Sequence, residues 1–175
     1  CVELIHAYAM AYEQIRFVCS HNGRTLIDLP STDKLQRLTA LLGKKTIEEF
    51  VPIEFSDAFI SVNGFIAKPQ FAHHHKKNQY IFVNNRYIKN NLILESVKKA
   101  YGTLLPSTLT TSFILFITLP YEHVDVNIHP KKDEVTFADV HIVIDGIMES
   151  IRSSLEKNNL TFQDLRWQKN TDHTN

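Results

Sequence analysis

Apolar residues alternate with polar ones from Val124 to His129, and the pattern ends at Pro130 in Lys131 and Lys132. That period of two predicts a strand with Val124, Val126 and Ile128 on one face and Asp125, Asn127 and His129 on the other. Pro130 lacks a backbone donor and stops the strand. Ser112–Leu119 is continuously apolar, as a strand covered on both faces is. Ile15–Ser20 and Thr25–Leu29 read as strands joined through Asn22-Gly23, a strong short hairpin signal. Ile53–Phe55, Phe59–Ala67 and Gln79–Val83 read as further strands, and Asn63-Gly64 inside the second predicts a bulge or a shift of face.

Helical spacing alternates with these runs. Residues 2–12 carry Leu4, Ile5, Tyr8, Ala9 and Tyr12 at near-helical intervals. Ser31–Asp33 offers an N-cap to a helix bearing Leu35, Leu38, Leu41 and Leu42, and Gly43 is placed to stop it. Thr46 and Glu49 fit the capping-box spacing of a further short turn. Lys68–Asn78 is a polar loop, and Asn84-Asn85 marks a turn. Asn90 or Asn91 caps a helix running to about Tyr101, which places Arg86 at that helix's mouth with Lys89 just after it. Asp139 caps a last helix with Val140, Val143, Ile147, Ile151 and Leu155 on one side. Residues 79–119 form a strand–helix–strand unit. The expected fold is α+β, a two-layer sandwich whose mixed sheet of four to five strands is packed by helices.

A length of 175 residues and a hydrophobic content of 43% suit one packed domain with an appendage. The chain begins with Cys and already reads as helix there, which suggests a piece of a longer protein. Net charge is zero, so bulk charge names no partner. The distribution is uneven, however. No acid lies between Asp57 and Glu95, while that block holds Lys68, Lys76, Lys77, Arg86, Lys89 and His73–His75. One-signed charge inside a neutral chain points to an anion-facing surface or a solvated edge. Two cysteines without a CxxC suggest a reducing compartment, and no run is long enough to span a membrane.

Candidate chemistry narrows the classes. His123, Asp125 and His129 are metal-ligand types, but same-face neighbours on a strand stand about 7 Å apart and do not converge on one ion alone. The glycines fit no phosphate-loop pattern. Cys19 has no base assigned by spacing, and the chain on its own does not read as an enzyme. Arg86, Lys89, Lys76 and Lys77 suit phosphate oxygens contacted without sequence readout. Tyr80 and Phe82 alternate with Ile81 and Val83, which favours sheet-face packing over base stacking.

Two of these stretches carry a resemblance. IFVNNRYIKNNLILESVKKAY resembles the strand–turn–helix of the MutL family, and VDVNIHPKKDEVTF is similar to that family's VDVNVHPxKxEVRF signature. Ser20–Arg24 resembles a hairpin upstream of them, so the likeness spans most of residues 15–157. It implies a DNA mismatch-repair factor with a nucleotide-binding domain of the GHKL class, followed by a transducer domain resembling the second domain of ribosomal small-subunit protein five. Residues 1–30 would close the upstream ATPase domain, 31–158 would form the transducer, and 159–175 a polar tail. Lys132 matches the lysine that reaches the nucleotide's terminal phosphate from outside the ATPase domain, and Arg86 matches the DNA-contacting arginine.

The implied cofactors are ATP and Mg2+ in the full-length protein, with none on this piece. The implied partners are DNA, bound weakly and largely without sequence preference, the upstream ATPase domain, a second copy and mismatch-recognition proteins, with no membrane. The implied location is cytoplasmic and nucleoid-associated in a bacterium, or nuclear in a eukaryote. Lys131, Asp133 and Thr136 depart from the family pattern, and Asp133 supplies an acid beside Lys132. A further family cation matches Asn91, which lowers the charge of the DNA surface. Alternative readings are a transducer of another GHKL ATPase, a stand-alone nucleic-acid-binding module of the same fold, and a metal-dependent enzyme using His123, Asp125 and His129.

Overall fold

A computed structural model describes residues 2–120, 124–125, 136–137 and 139–160. Helix α1 (Val2–Ala11) leads into the hairpin β1 (Phe17–His21) and β2 (Arg24–Leu29), then α2 (Lys34–Leu42) and α3 (Lys44–Glu48). Strands β3 (Phe50–Ser56), β4 (Ser61–Ala67), β5 (Gln79–Val83) and β6 (Arg86–Ile88) follow. Helix α4 (Asn91–Tyr101), β7 (Phe113–Thr118), the short β8 (Val124–Asp125) and β9 (Thr136–Phe137), and α5 (Val140–Lys157) complete the order.

Local chemistry accounts for most boundaries. Asn22 and Gly23 both take positive φ, 49° and 75°, as a two-residue hairpin loop requires. Asp33 caps α2, its carboxylate accepting from the Gln36 amide at 2.8 Å. Gly43, at φ 88°, ends α2 and begins α3 at once. The capping box expected at Thr46 is therefore absent: Thr46 lies inside α3, because the glycine restarts the helix before it. Asp139 caps α5, accepting from His141 N at 3.0 Å.

Among the described residues the main sheet has five strands in the order β3-β4-β7-β5-β6. β4 runs antiparallel to both β3 and β7, β5 runs parallel to β7, and β6 returns antiparallel to β5. β7 is central and buried up to Thr118, which explains its unbroken apolar run. β3 begins at Phe50, earlier than the sequence suggests, and takes in Pro52; an edge strand tolerates that missing donor. No bulge interrupts β4. Gly64 pairs in register with Ile53 on one side and Leu115 on the other. A Cβ on Gly64 would lie 2.0 Å from the Ile114 carbonyl oxygen, so the glycine permits close strand approach rather than a shift of face.

One face of the sheet presents Val62, Ile66, Ile81, Val83, Leu115 and Ile117 to Ile93 and Val97 of α4 and to Val143, Ile147 and Ile151 of α5. The other presents Phe82, Ile114 and Phe116 to Ala7, Met10 and Ala11 of α1 and Leu38 of α2. Phe82 stacks on Phe116 at 4.9 Å, which settles Phe82 as a packing residue. Arg37, fully buried, ties this second layer together: one guanidinium nitrogen donates to the carbonyls of Glu13, Ile15 and Pro30 at 2.8–2.9 Å. The expected α+β class, with a mixed sheet packed by helices, is the one observed.

β8 pairs antiparallel with β9 apart from the main sheet, Val124 opposite Phe137. The rest of the alternating stretch, including Asn127, His129, Lys131, Lys132 and Asp133, lies outside the described residues, as does His123.

Candidate nucleic-acid interface

The β5–β6 hairpin is built by two asparagines. Asn84 and Asn85 take φ 48° and 64°, both left-handed, and close Val83 onto Arg86. Arg86 is therefore the first residue of a strand and exposed, not the mouth of a helix. Helix α4 starts later, at Asn91, where the Asn90 carboxamide accepts from Ile93 N at 3.1 Å. The sequence reading missed β6 because three residues are too few for a period. The signal was available: a turn dipeptide that tolerates positive φ, followed by Tyr87 and Ile88, which favour strands.

Lys76 and Lys77 stand on the loop between β4 and β5, which a set of polar contacts fastens to the approach to β7. His73 and Thr110 exchange backbone hydrogen bonds at 2.9 and 2.7 Å. The Ser112 hydroxyl donates to Lys77 O at 2.8 Å, so its contact with His73 Nε2, at 2.9 Å, assigns that nitrogen the donor role. Gln79 donates to Thr110 Oγ1 and to Thr111 O at 2.8 and 2.9 Å. His73 is thus a support for the loop. Among the described residues no cluster of three or more His, Cys, Asp or Glu could hold a metal ion.

The result is a groove of about 360 Å3 in which Lys76, Lys77 and Lys89 share the walls with Asn90, Asn91, Tyr80 and Tyr87. No acid lines it. Glu95 and Lys98 border a smaller neighbouring cleft of about 120 Å3 that also touches Lys76. Arg86 does not line the groove. It stands at the turn end of β6, about 10 Å up the strand from Lys89 at ordinary strand rise. The four cations singled out by sequence thus divide into three in a groove and one beside it. Among the described residues the ion pairs are Arg16–Asp28 and Lys34–Glu13, so none of the four is neutralised by an acid there. Asn91, where the family pattern has a cation, contributes an amide to the groove wall.

Sequence reasoning also gave Asn84 too small a part. It was legible as a turn residue, yet its side chain reaches across to the chain leaving β7. Leu119 N donates to Asn84 Oδ1 at 2.9 Å, and Asn84 Nδ2 donates to Leu119 O at 3.0 Å.

Fold and groove together define a class: an α+β domain on a mixed sheet, with a cationic groove along the edge that ends in a short hairpin. The family described as "DNA mismatch repair protein, C-terminal domain" matches residues 38–156. The chain belongs to the MutL family of DNA mismatch repair proteins. It is 36% identical over 152 residues to the DNA mismatch repair protein MutL of Christiangramia forsetii, a match covering 87% of this chain and 25% of that protein. The chain therefore spans about a quarter of that relative's length.

Solved structures share the fold. The N-terminal domain of a DNA repair protein superposes with a TM-score of 0.75 at 17% identity, over 92% of this chain and 52% of that one. A point-mutated Aquifex aeolicus MutL ATPase domain gives 0.60 at 19% identity, over 86% and 49%. The same domain complexed with ADP gives 0.51 at 17% identity, over 83% and 45%. Among the described residues no helix is long and apolar enough to cross a membrane.

Proposed function

We propose that this chain is the transducer portion of a MutL protein, coupling nucleotide binding and hydrolysis in a neighbouring GHKL domain to DNA binding. One observation carries the DNA side of the reading: Lys76 and Lys77, on the loop before β5, and Lys89, just past β6, line one groove that has no acid among the described residues, beside exposed Arg86. Such a surface suits the phosphate backbone of DNA, bound weakly and without base readout. A groove of this kind makes the affinity steep in salt.

The nucleotide side rests on Lys132, which the VDVNIHPKKDEV signature aligns with a phosphate-contacting lysine. A bound nucleoside triphosphate with its metal ion supplies a terminal phosphate that is present before hydrolysis and gone after it. Lys132 pairs with that phosphate when the two domains close, and the loss of its partner releases the closed state. The ADP complex of the Aquifex aeolicus MutL ATPase domain, of like fold, supports nucleotide as the ligand of the whole protein. ATP turnover then belongs to the neighbouring domain, to which this chain lends one cation. Residues 1–30 act as the closing elements of that domain. The apolar side chains of Leu4, Tyr8, Val18 and Leu26, each at least 43% exposed, support a covering neighbour there. Residues 31–158 form the transducer, and 159–175 its polar tail.

The test is a titration of duplex and single-stranded DNA against the intact protein at two salt concentrations. Arg86→Glu is expected to weaken binding roughly tenfold at the lower salt. Changing Lys76, Lys77 and Lys89 together to Ala is expected to flatten the salt dependence by about one unit of slope for each phosphate no longer neutralised. Equal affinities for parent and both variants overturn the reading.

A further inference from the structure

We infer that Asn84 is a positioning residue that couples the Arg86 hairpin to the chain leaving β7, the chain that runs on toward Lys132. The inference rests on the transducer reading and adds to it the joint through which the two ends communicate.

The geometry is specific. β5 and β7 run parallel, and their pairing ends at Val83 opposite Ile117. At that point β5 turns away into its hairpin. Asn84 nevertheless continues the ladder. Its backbone N–H donates to Ile117 O at 2.9 Å. Its carboxamide then serves both backbone groups of one residue, accepting from Leu119 N at 2.9 Å and donating to Leu119 O at 3.0 Å. A side chain here replaces the strand neighbour that Leu119 would otherwise lack. Leu119 is 5% exposed, so water is a poor substitute partner for its peptide groups.

The neighbouring asparagine provides the contrast. Asn85 shares the left-handed turn conformation, is exposed, and makes no such bridge among the described residues. The turn explains positive φ at both positions, and glycine would satisfy it at either. The turn accounts for an asparagine at both positions, and the carboxamide of Asn84 has the bridge as a second task. Two opposed hydrogen bonds fix Leu119 in both translation and rotation against the turn, where one would leave a swivel. Arg86 stands two residues beyond Asn84, so a shift of the hairpin on its ligand must displace Leu119 or break the bridge. Leu119 and Pro120 follow β7 directly, on the stretch of sequence that runs on toward Lys132.

The experiment uses the intact protein. Asn84→Gly keeps the turn and deletes the carboxamide. Asn84→Asp keeps the acceptor for Leu119 N and loses the donor to Leu119 O. Asn85→Gly is the control. Duplex affinity is measured with no nucleotide and with a nonhydrolysable ATP analogue, and hydrogen exchange is followed at the Leu119 amide. In Asn84→Gly, Leu119 exchange is expected to quicken about tenfold, in keeping with the loss of one structural hydrogen bond. Duplex affinity without nucleotide stays within about twofold of the parent, while the change caused by the analogue shrinks at least fivefold, on the scale of ordinary coupling energies. Asn84→Asp falls between, and Asn85→Gly matches the parent.

A responsive parent with an equally responsive Asn84→Gly overturns this inference alone. Loss of DNA binding to the same degree with and without the analogue assigns Asn84 a purely structural role and overturns it too. A parent whose DNA affinity ignores the analogue, or whose Arg86→Glu variant binds normally, overturns the transducer reading and this inference with it.

Discussion

Tyr101 ends α4 with its phenol 2% exposed, donating to Ala67 O at 2.5 Å and accepting from Thr111 Oγ1 at 3.3 Å. Burial pushes that phenol well above its ordinary 10.0, against the smaller, opposite pull of the Thr111 hydrogen bond. The sign follows from linkage. The folded state holds the proton more tightly than the unfolded chain. The associated stability is therefore full below about pH 10 and is lost as pH rises beyond it. Tyr101→Phe keeps the ring and orphans a buried carbonyl, so it is expected to cost about 1–2 kcal/mol near neutrality. Urea unfolding of parent and variant at rising pH checks the rest: the gap narrows above about pH 10, and a gap independent of pH contradicts the assignment. Sequence alone did not disclose this residue's polar role. Tyr101 occupies an apolar position of a helix, and its hydroxyl finds Ala67 only because α4 packs across the end of β4.

At the scale of elements, β4 depends on one missing side chain. Gly64 sits mid-strand at φ 148°, with the Ile114 carbonyl oxygen where a Cβ would be. The obstruction is backbone and cannot rotate aside. Gly64→Ala is accordingly expected to destabilise the protein by on the order of 3–5 kcal/mol, or to force β4 and β7 apart. Thermal unfolding measures it, and a loss below about 1 kcal/mol would show that the sheet yields locally. Asn63-Gly64 was legible as a departure from a plain strand, but its kind was not. A bulge and a close approach both call for glycine, and only the pairing partner across the strand tells them apart. The Asn84-Asn85 turn, the Asp33, Asn90 and Asp139 caps and the central run of β7 were legible because each is decided within a few residues. The Thr46 capping box failed for an equally local reason, since Gly43 acts first.

For the whole molecule, the division of the cations matters most. Lys76, Lys77 and Lys89 share a groove, Arg86 stands at the hairpin turn, and Asn84 fastens that turn to the exit from β7. If Lys132 meets a terminal phosphate in the closed protein, Lys132→Ala should lower steady-state ATP turnover on the order of a hundredfold, as removing a charge that stabilises the transition state does. Unchanged turnover and nucleotide affinity would remove Lys132 from the site. DNA affinity without nucleotide should be untouched, because the groove and hairpin hold their own cations. The alternating stretch that ends in Lys131 and Lys132, read with the FVNNR turn, determined the family from sequence alone, because both are short patterns whose spacing survives in a single chain. The helix caps and the buried central strand were determined in the same way, by nearest neighbours and periodicity. Which lysines converge, that Arg86 begins a strand, that Gly64 faces a carbonyl and that Asn84 grips Leu119 were decided only by the tertiary structure. Gly64 and Asn84 depend on partners that the sheet order β3-β4-β7-β5-β6 brings from a distant part of the chain, while the lysines and Arg86 are placed by the fold-back of β6 onto β5, which three residues of strand are too few to announce.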